Sequence, residues 1–454
     1  MNTKSKFEII YKNRNVIFAI VVLGVILSLS APKISDIARV PVGYVTKVTC
    51  SEVFLANRNP VDVAATNFEQ VSPIVELVKV KIDNERKAVA GSLWGFGKAT
   101  AYFTPQIGCR LDPGTGLNFV SSIPPSKNFV VASPFNIEID AKVQKATLKL
   151  FDDTASEHPI VTRGVVVIRN GDIIAEHYSN GFNKETRQQS WSMAKGVLQS
   201  LVGIAVSQKI LSLEENNLLP QWPSHDQRSN ISIEHLLSMT SGLEFSENYA
   251  NPLSDVVQML FNTKDMGAYA ASKRLEHKPG LHFKYSSGTT NIISLVLRHR
   301  LEAAGRNYHA FPYSELFGPI GMSSAVFEMD PSGTFIGASY IYATPRDFAR
   351  FGQLYLQDGL WDEKRILPLG WVDYTRVPVA TSDGTYGSHW SLNFGQSNLP
   401  GMPDDVFYLG GNDGQFIFVI PSKNTVIVRT GVMREPATFE KDLYPLIRNI
   451  YRKL

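Results

Sequence analysis

Ser192-Met193-Ala194-Lys195 stands at the start of a long apolar-periodic stretch. Residues i and i+3 of a helix share a face, so this spacing brings the Lys195 ammonium to the Ser192 hydroxyl. A serine hydroxyl alone is a poor nucleophile, and a lysine partner is one of the known ways to activate it. The unpaired N–H groups and positive dipole of a helix N-terminus add a place for an oxyanion. Ser-x-x-Lys also recurs by chance in a chain of this length, as at Ser30-Ala31-Pro32-Lys33, so the pair needs partners elsewhere.

Two later clusters supply candidates. In Lys284-Tyr285-Ser286-Ser287-Gly288, Tyr285 lies between the loop Lys278-Pro279-Gly280 and a helix start. Its hydroxyl there can carry a proton between nucleophile and leaving group. Gly410-Gly411-Asn412-Asp413-Gly414-Gln415 directly precedes an apolar strand, Phe416 to Ile420. Glycines at a strand edge let a substrate backbone lie close, and an N–H group there can face an oxyanion.

The elements that must position these residues can be read coarsely. Val161 to Ile168 and Ile173 to Tyr178 read as two strands joined across the hairpin turn Asn170-Gly171-Asp172. Helical periodicity runs over Ser192 to Ile210, Ile233 to Met239, Leu253 to Phe261, Asn291 to Ala304 and Pro345 to Gln357. Strands return at Gln415 to Pro421 and Thr425 to Gly431, before a helix from Thr438 to Leu454. Strands first and last with helices between predict one antiparallel sheet built from both ends of the domain, with a helical insertion. Upstream, Gly43 to Phe54, Val75 to Ile82, Lys87 to Trp94 and Ala99 to Phe103 read as strands of a small β-rich region. A Pro-, Gly- and Ser-rich crossing from Asp112 to Pro134 follows. The expected division is therefore 1–32, 33–136 and 137–454.

With 454 residues, 44% of them apolar, the chain has material for a large core. Its formal charge of +3, with no basic block beyond the first residues, argues against a nucleic-acid partner. Lys4, Lys6, Lys12 and Arg14 precede an uncharged apolar run from Val16 to Ala31, the charge order of an export signal. That run is short for a spanning helix and long for a cleaved signal, so an anchor in the inner (cytoplasmic) membrane and a removed signal both stand. Either way the rest of the chain is expected outside the cytoplasm. The two cysteines, Cys50 and Cys109, are read as a disulfide, as an exported protein permits. None of the nine histidines forms a zinc-like pair; His235 and His282 read as ordinary helix and loop residues, and no metal or cofactor is expected.

The order Ser-x-x-Lys, Tyr-x-Ser, then a glycine-flanked turn before a strand resembles the serine β-lactamase and penicillin-binding-protein superfamily. The likeness is to its class C-like hydrolase branch, which includes esterases and 6-aminohexanoate-dimer hydrolases. Ile233-Glu234-His235-Leu236-Leu237-Ser238-Met239-Thr240-Ser241-Gly242-Leu243 and Ala343-Thr344-Pro345-Arg346-Asp347-Phe348-Ala349-Arg350-Phe351-Gly352 fit that branch as well. The resemblance covers about residues 137–454 and implies a mixed α/β (α+β) fold of β-lactamase/transpeptidase type. It implies that Ser192 is acylated, that Lys195 takes or tunes its proton, and that Tyr285 relays a proton to the leaving group. The backbone N–H groups of Ser192 and Gln415 would hold the oxyanion, and Tyr249, Ser287, Asn412, Asp413 and Gly414 would contact a small amide or ester substrate. Two positions depart from the family pattern: Ser287 stands where many β-lactamases have asparagine, and Asn412 where lysine or histidine is usual. A DD-peptidase or weak β-lactamase is the alternative enzyme, and a silent ligand-binding protein the alternative from another class.

Overall fold

A computed structural model describes residues 35–69, 71–114, 116–117 and 135–454. At its centre is a six-stranded antiparallel sheet. In spatial order the strands are Ser391–Leu392, Phe407–Gly411, Gln415–Ile420, Thr425–Gly431, Thr162–Arg169 and Asp172–Tyr178. The first strands of this region thus join its last ones, Val166 facing Val428. Asn170 and Gly171 both take positive φ, 55° and 92°, as a tight two-residue hairpin requires.

Alternation along these strands feeds two cores. Val165, Val167, Phe418 and Ile427 pack with Val143, Ile447 and Ile450 from the helices Ala141–Leu148 and Tyr444–Tyr451. Val166, Ile168, Val426 and Val428 face the opposite way, towards Ala194, Val197 and Phe348. With both faces covered, the strands read as continuous apolar runs.

The predicted helices form with shifted ends. Ala194–Ser207 follows a 3₁₀ turn at Trp191–Met193. Ser287–Ala303 starts four residues earlier than its apolar pattern, because Ser286 Oγ accepts from Thr289 N at 3.1 Å and caps it. Pro345–Leu356 is capped by Thr344 with proline in the first turn, and Ile233–Leu237 by a Ser232/His235 capping box. A helix at Met266–Ala271 and the strand Phe407–Gly411 are additions to the sequence reading.

The N-terminal part requires a correction. Four antiparallel strands are present, Lys79–Asp83, Ala88–Leu93, Phe96–Thr104 and Gly108–Asp112. Gly43 to Phe54, expected as a strand, is instead helical: residues 35–50 form a helix that continues into a π-helical turn at Ser51–Leu55. Val75 likewise belongs to a short helix, Pro73–Glu76, not to a strand. The helix 35–50 is buried over most of its surface, between the small sheet and the helical region. A Cβ on Gly91 would meet Thr46 Oγ1 at 2.1 Å, and one on Gly43 would meet Phe261 at 2.9 Å. A helix covered on nearly all sides shows no apolar stripe, which is why its β-branched residues read as a strand.

Cys50 and Cys109 form a disulfide with Cα atoms 6.0 Å apart, tying this helix to the strand Gly108–Asp112. Beside it the buried Glu328 carboxylate accepts from Lys47 Nζ, from Ser51 Oγ at 2.9 Å and from Cys109 N at 2.6 Å. Among the described residues no helix is long and apolar enough to cross a membrane; the apolar run 16–31 lies outside them, as does most of the predicted crossing before Ile137.

Candidate active site

Ser190 fixes the position of Ser192. Its N–H donates to Ile341 O at 2.8 Å and its Oγ accepts from Ile341 N at 3.1 Å, so Ser192 follows directly on a segment pinned to the strand Ile341–Ala343. Between them Trp191 sits at φ 44°, a left-handed conformation that costs a bulky residue roughly 1–3 kcal/mol. Its indole is held by the rings of Tyr340 and Tyr249, with centroids 5.9 and 6.3 Å away. Glycines let the third motif approach: a Cβ on Gly411 would meet Ser190 O at 2.5 Å, and one on Gly196 would meet Leu409 at 2.5 Å.

Lys195 is 1% exposed. Its Nζ donates to Ser192 Oγ at 3.0 Å, Ser287 Oγ at 3.1 Å and Ala338 O at 3.1 Å, which accounts for all three ammonium protons. The face of Tyr285 lies 4.8 Å from Nζ, and the Tyr386 ring meets Tyr285 edge-on at 6.0 Å. The Ser192, Lys195 and Tyr285 expected to act together therefore do converge.

Ser287 is oriented differently from expectation. It is fully buried; its Oγ donates to Glu247 Oε1 at 2.5 Å and its N–H to Glu247 Oε2 at 2.9 Å. The hydroxyl expected to face substrate is thus the link between the Lys195 ammonium and a carboxylate. Sequence reading passed over Glu247. A lysine buried behind a nucleophile calls for an opposite charge, and the acidic residue two places before Tyr249 is the signal that could have found it. Behind the same helix, His389 Nδ1 donates to Leu237 O at 2.8 Å, leaving Nε2 to accept from Thr290 Oγ1 at 3.1 Å. Burial pushes this imidazole down to about 3, with the Lys195 charge acting in the same direction.

The third motif divides. Gln415 is turned into the sheet, its amide bonded to Gly431 O at 2.6 Å and Gly431 N at 3.1 Å, so only its backbone remains for a substrate. Asp413, at φ 57°, pairs with Arg434 at 3.8 Å, and burial raises its carboxyl above the usual range. Arg434 in turn donates to Asn67 O at 2.6 Å and Glu69 O at 2.8 Å. Gly414 O accepts from Arg429 Nη1 at 2.7 Å. Asn412, Asp413 and Tyr249 line one cavity of about 260 Å³ together with Trp191. Burial, then the Glu247 charge, raises the Tyr249 phenol well above its ordinary value.

Residues 149–450 match the Beta-lactamase family. The chain is 21% identical over 313 residues to the 6-aminohexanoate-dimer hydrolase of Paenarthrobacter ureafaciens, across 61% of this chain and 74% of that one. It is similar in fold to a family VIII carboxylesterase, with a TM-score of 0.54 at 15% identity over 71% of this chain and 99% of the other. A penicillin-binding protein homologue from Caulobacter crescentus gives a TM-score of 0.54 at 13% identity, over 71% of this chain and all of that one. Since the family match spans most of the chain, from just after the helix Ala141–Leu148 into the C-terminal helix, this protein belongs to the beta-lactamase family of serine hydrolases.

Proposed function

We propose that the chain hydrolyses small amides or esters through an acyl-enzyme on Ser192, and that it works outside the cytoplasm. The observation that carries the reading is the buried Lys195 Nζ, placed 3.0 Å from Ser192 Oγ and backed by Ser287 and Glu247. In this scheme Ser192 Oγ attacks the carbonyl carbon while its proton passes to the deprotonated Tyr285 oxygen, the Lys195 ammonium keeping its three hydrogen bonds throughout. That proton then goes to the leaving amine or alcohol as the tetrahedral intermediate collapses to the ester on Ser192. Backbone N–H groups of Ser192 and Gln415 receive the oxyanion, and water repeats the sequence to release the acid. The amidase and esterase names of the related proteins support this substrate class. Work outside the cytoplasm is supported by the disulfide and by the basic-then-apolar order of residues 4–31.

The test is hydrolysis of a p-nitrophenyl ester and labelling by a fluorophosphonate probe, with peptide mapping of the label. Ser192→Ala is expected to abolish both while leaving the circular dichroism spectrum unchanged. Undiminished hydrolysis in that variant removes Ser192 from the chemistry. A reporter fused after Leu454 is expected to be active only outside the cytoplasm, and activity inside the cell contradicts the export part of the reading.

A further inference from the structure

The cavity lined by Trp191 and Asn412 has a wall that does not come from the matched family span. Residues 35–50 and 71–75 lie outside the matched span 149–450, yet Ile37, Val40 and Tyr44 of the helix and Ile74 of the following segment line the cavity opposite Trp191 and Tyr249. Trp191, which directly precedes Ser192, lines the cavity together with Tyr249 and with Asn412 and Asp413 of the third motif, so the cavity borders the segments that carry the site. Ile37, Val71 and Ile74 are 38%, 37% and 42% exposed, and all three line this one space.

Its ionisable lining residues, Asp413 and Arg434, are paired with each other, and Arg434 spends further donors on Asn67 O and Glu69 O. The carboxylate and the guanidinium of the lining thus face each other, at 3.8 Å. The volume, about 260 Å³, falls below the roughly 300–1,000 Å³ of pockets that take drug-sized molecules, which suits one aliphatic chain rather than a ring system.

Resting on the hydrolase reading above, we infer that the N-terminal helix completes a subsite for an uncharged aliphatic chain, so that the preferred substrates are esters or amides of medium-length fatty acyl groups. A chain ending in an ammonium group, as in 6-aminohexanoyl compounds, would have to desolvate that charge against Ile37, Val40 and Ile74, and the carboxylate of the lining, Asp413, already faces Arg434.

The experiment is a series of p-nitrophenyl esters from acetate to octanoate, with hexanoyl and 6-aminohexanoyl p-nitroanilide as a matched pair. In the wild-type protein kcat/KM is expected to rise about fourfold per methylene from acetate to hexanoate. The hexanoyl anilide is expected to exceed the 6-aminohexanoyl one by about tenfold or more. Ile74→Trp, which fills the space, is expected to collapse the hexanoate-to-acetate ratio, and Ile74→Ala to move the optimum to longer chains. A flat or falling series, a preference for the ammonium chain, or a ratio that neither variant moves overturns the subsite. If wild-type acetate hydrolysis is absent, or survives in Ser192→Ala, the hydrolase reading fails and takes the subsite with it. Ser192-dependent acetate hydrolysis with a flat series removes the subsite alone.

Discussion

Lys195 Nζ donates to Ser287 Oγ at 3.1 Å, and through that one hydroxyl the ammonium behind Ser192 is joined to the Glu247 carboxylate. Buried charge without a partner is costly, so this link both holds Lys195 in place and sets where its protons point. Ser287→Ala and Glu247→Gln should therefore lower kcat by roughly ten- to a hundredfold, the worth of a charge-assisted hydrogen bond, with little change in KM. Steady-state kinetics on folded variants checks this. A change confined to KM would place Ser287 and Glu247 in substrate binding instead.

Tyr285 presents its ring to Lys195 at 4.8 Å and is the residue assigned to leaving-group protonation. A departing p-nitrophenolate needs no proton, whereas an amine does. Tyr285→Phe should lose about a hundredfold or more against an anilide amide and distinctly less against the matching phenyl ester. Equal losses on the two substrates would remove the relay role.

Asn412 lines the cavity where the family usually carries a cation, and Ser287 is buried against Glu247, leaving no side-chain amide at that position. Losing a charge-assisted contact to a substrate carboxylate costs about 1.5–3 kcal/mol, or roughly ten- to a hundredfold in binding. Nitrocefin should be turned over much more slowly than a short-chain p-nitrophenyl ester on the same sample. Asn412→Lys should raise nitrocefin turnover selectively; nitrocefin as the better wild-type substrate would reverse the assignment.

Lys47 and Glu328 form an ion pair sealed between the N-terminal helix and the rest of the molecule, their side chains 2% and 0% exposed. Burial pulls the Lys47 amine down and the Glu328 charge opposes it. Lys47→Met, which leaves the carboxylate uncompensated, should destabilise the protein by about 3–5 kcal/mol, and the double change Lys47→Met with Glu328→Leu should recover most of that loss. Chemical denaturation midpoints measure both. A double variant as unstable as the single one would mean that the Ser51 and Cys109 contacts to Glu328, not the charge pair, hold the helix down.

Local rules carried much of the architecture. The i, i+3 spacing of Ser192 and Lys195, the Asn170-Gly171 turn, the proline and threonine at the head of Pro345–Leu356 and the short apolar strand runs are each decided within a few residues, so they were legible without a fold. Tertiary structure decided what depends on partners distant in the chain. Glu247 meets Ser287 across 40 positions and Glu328 meets Lys47 across 281, and no local pattern reports such pairings. Ser287 was expected at the substrate and is turned to Glu247, because a buried polar group must find its opposite wherever the packing puts one. The helix 35–50 shows the same limit from the apolar side. Its β-branched residues favour a strand locally, and burial between the small sheet and the helical region overrides that preference, placing Ile37, Val40 and Tyr44 in one cavity with Trp191 and Tyr249.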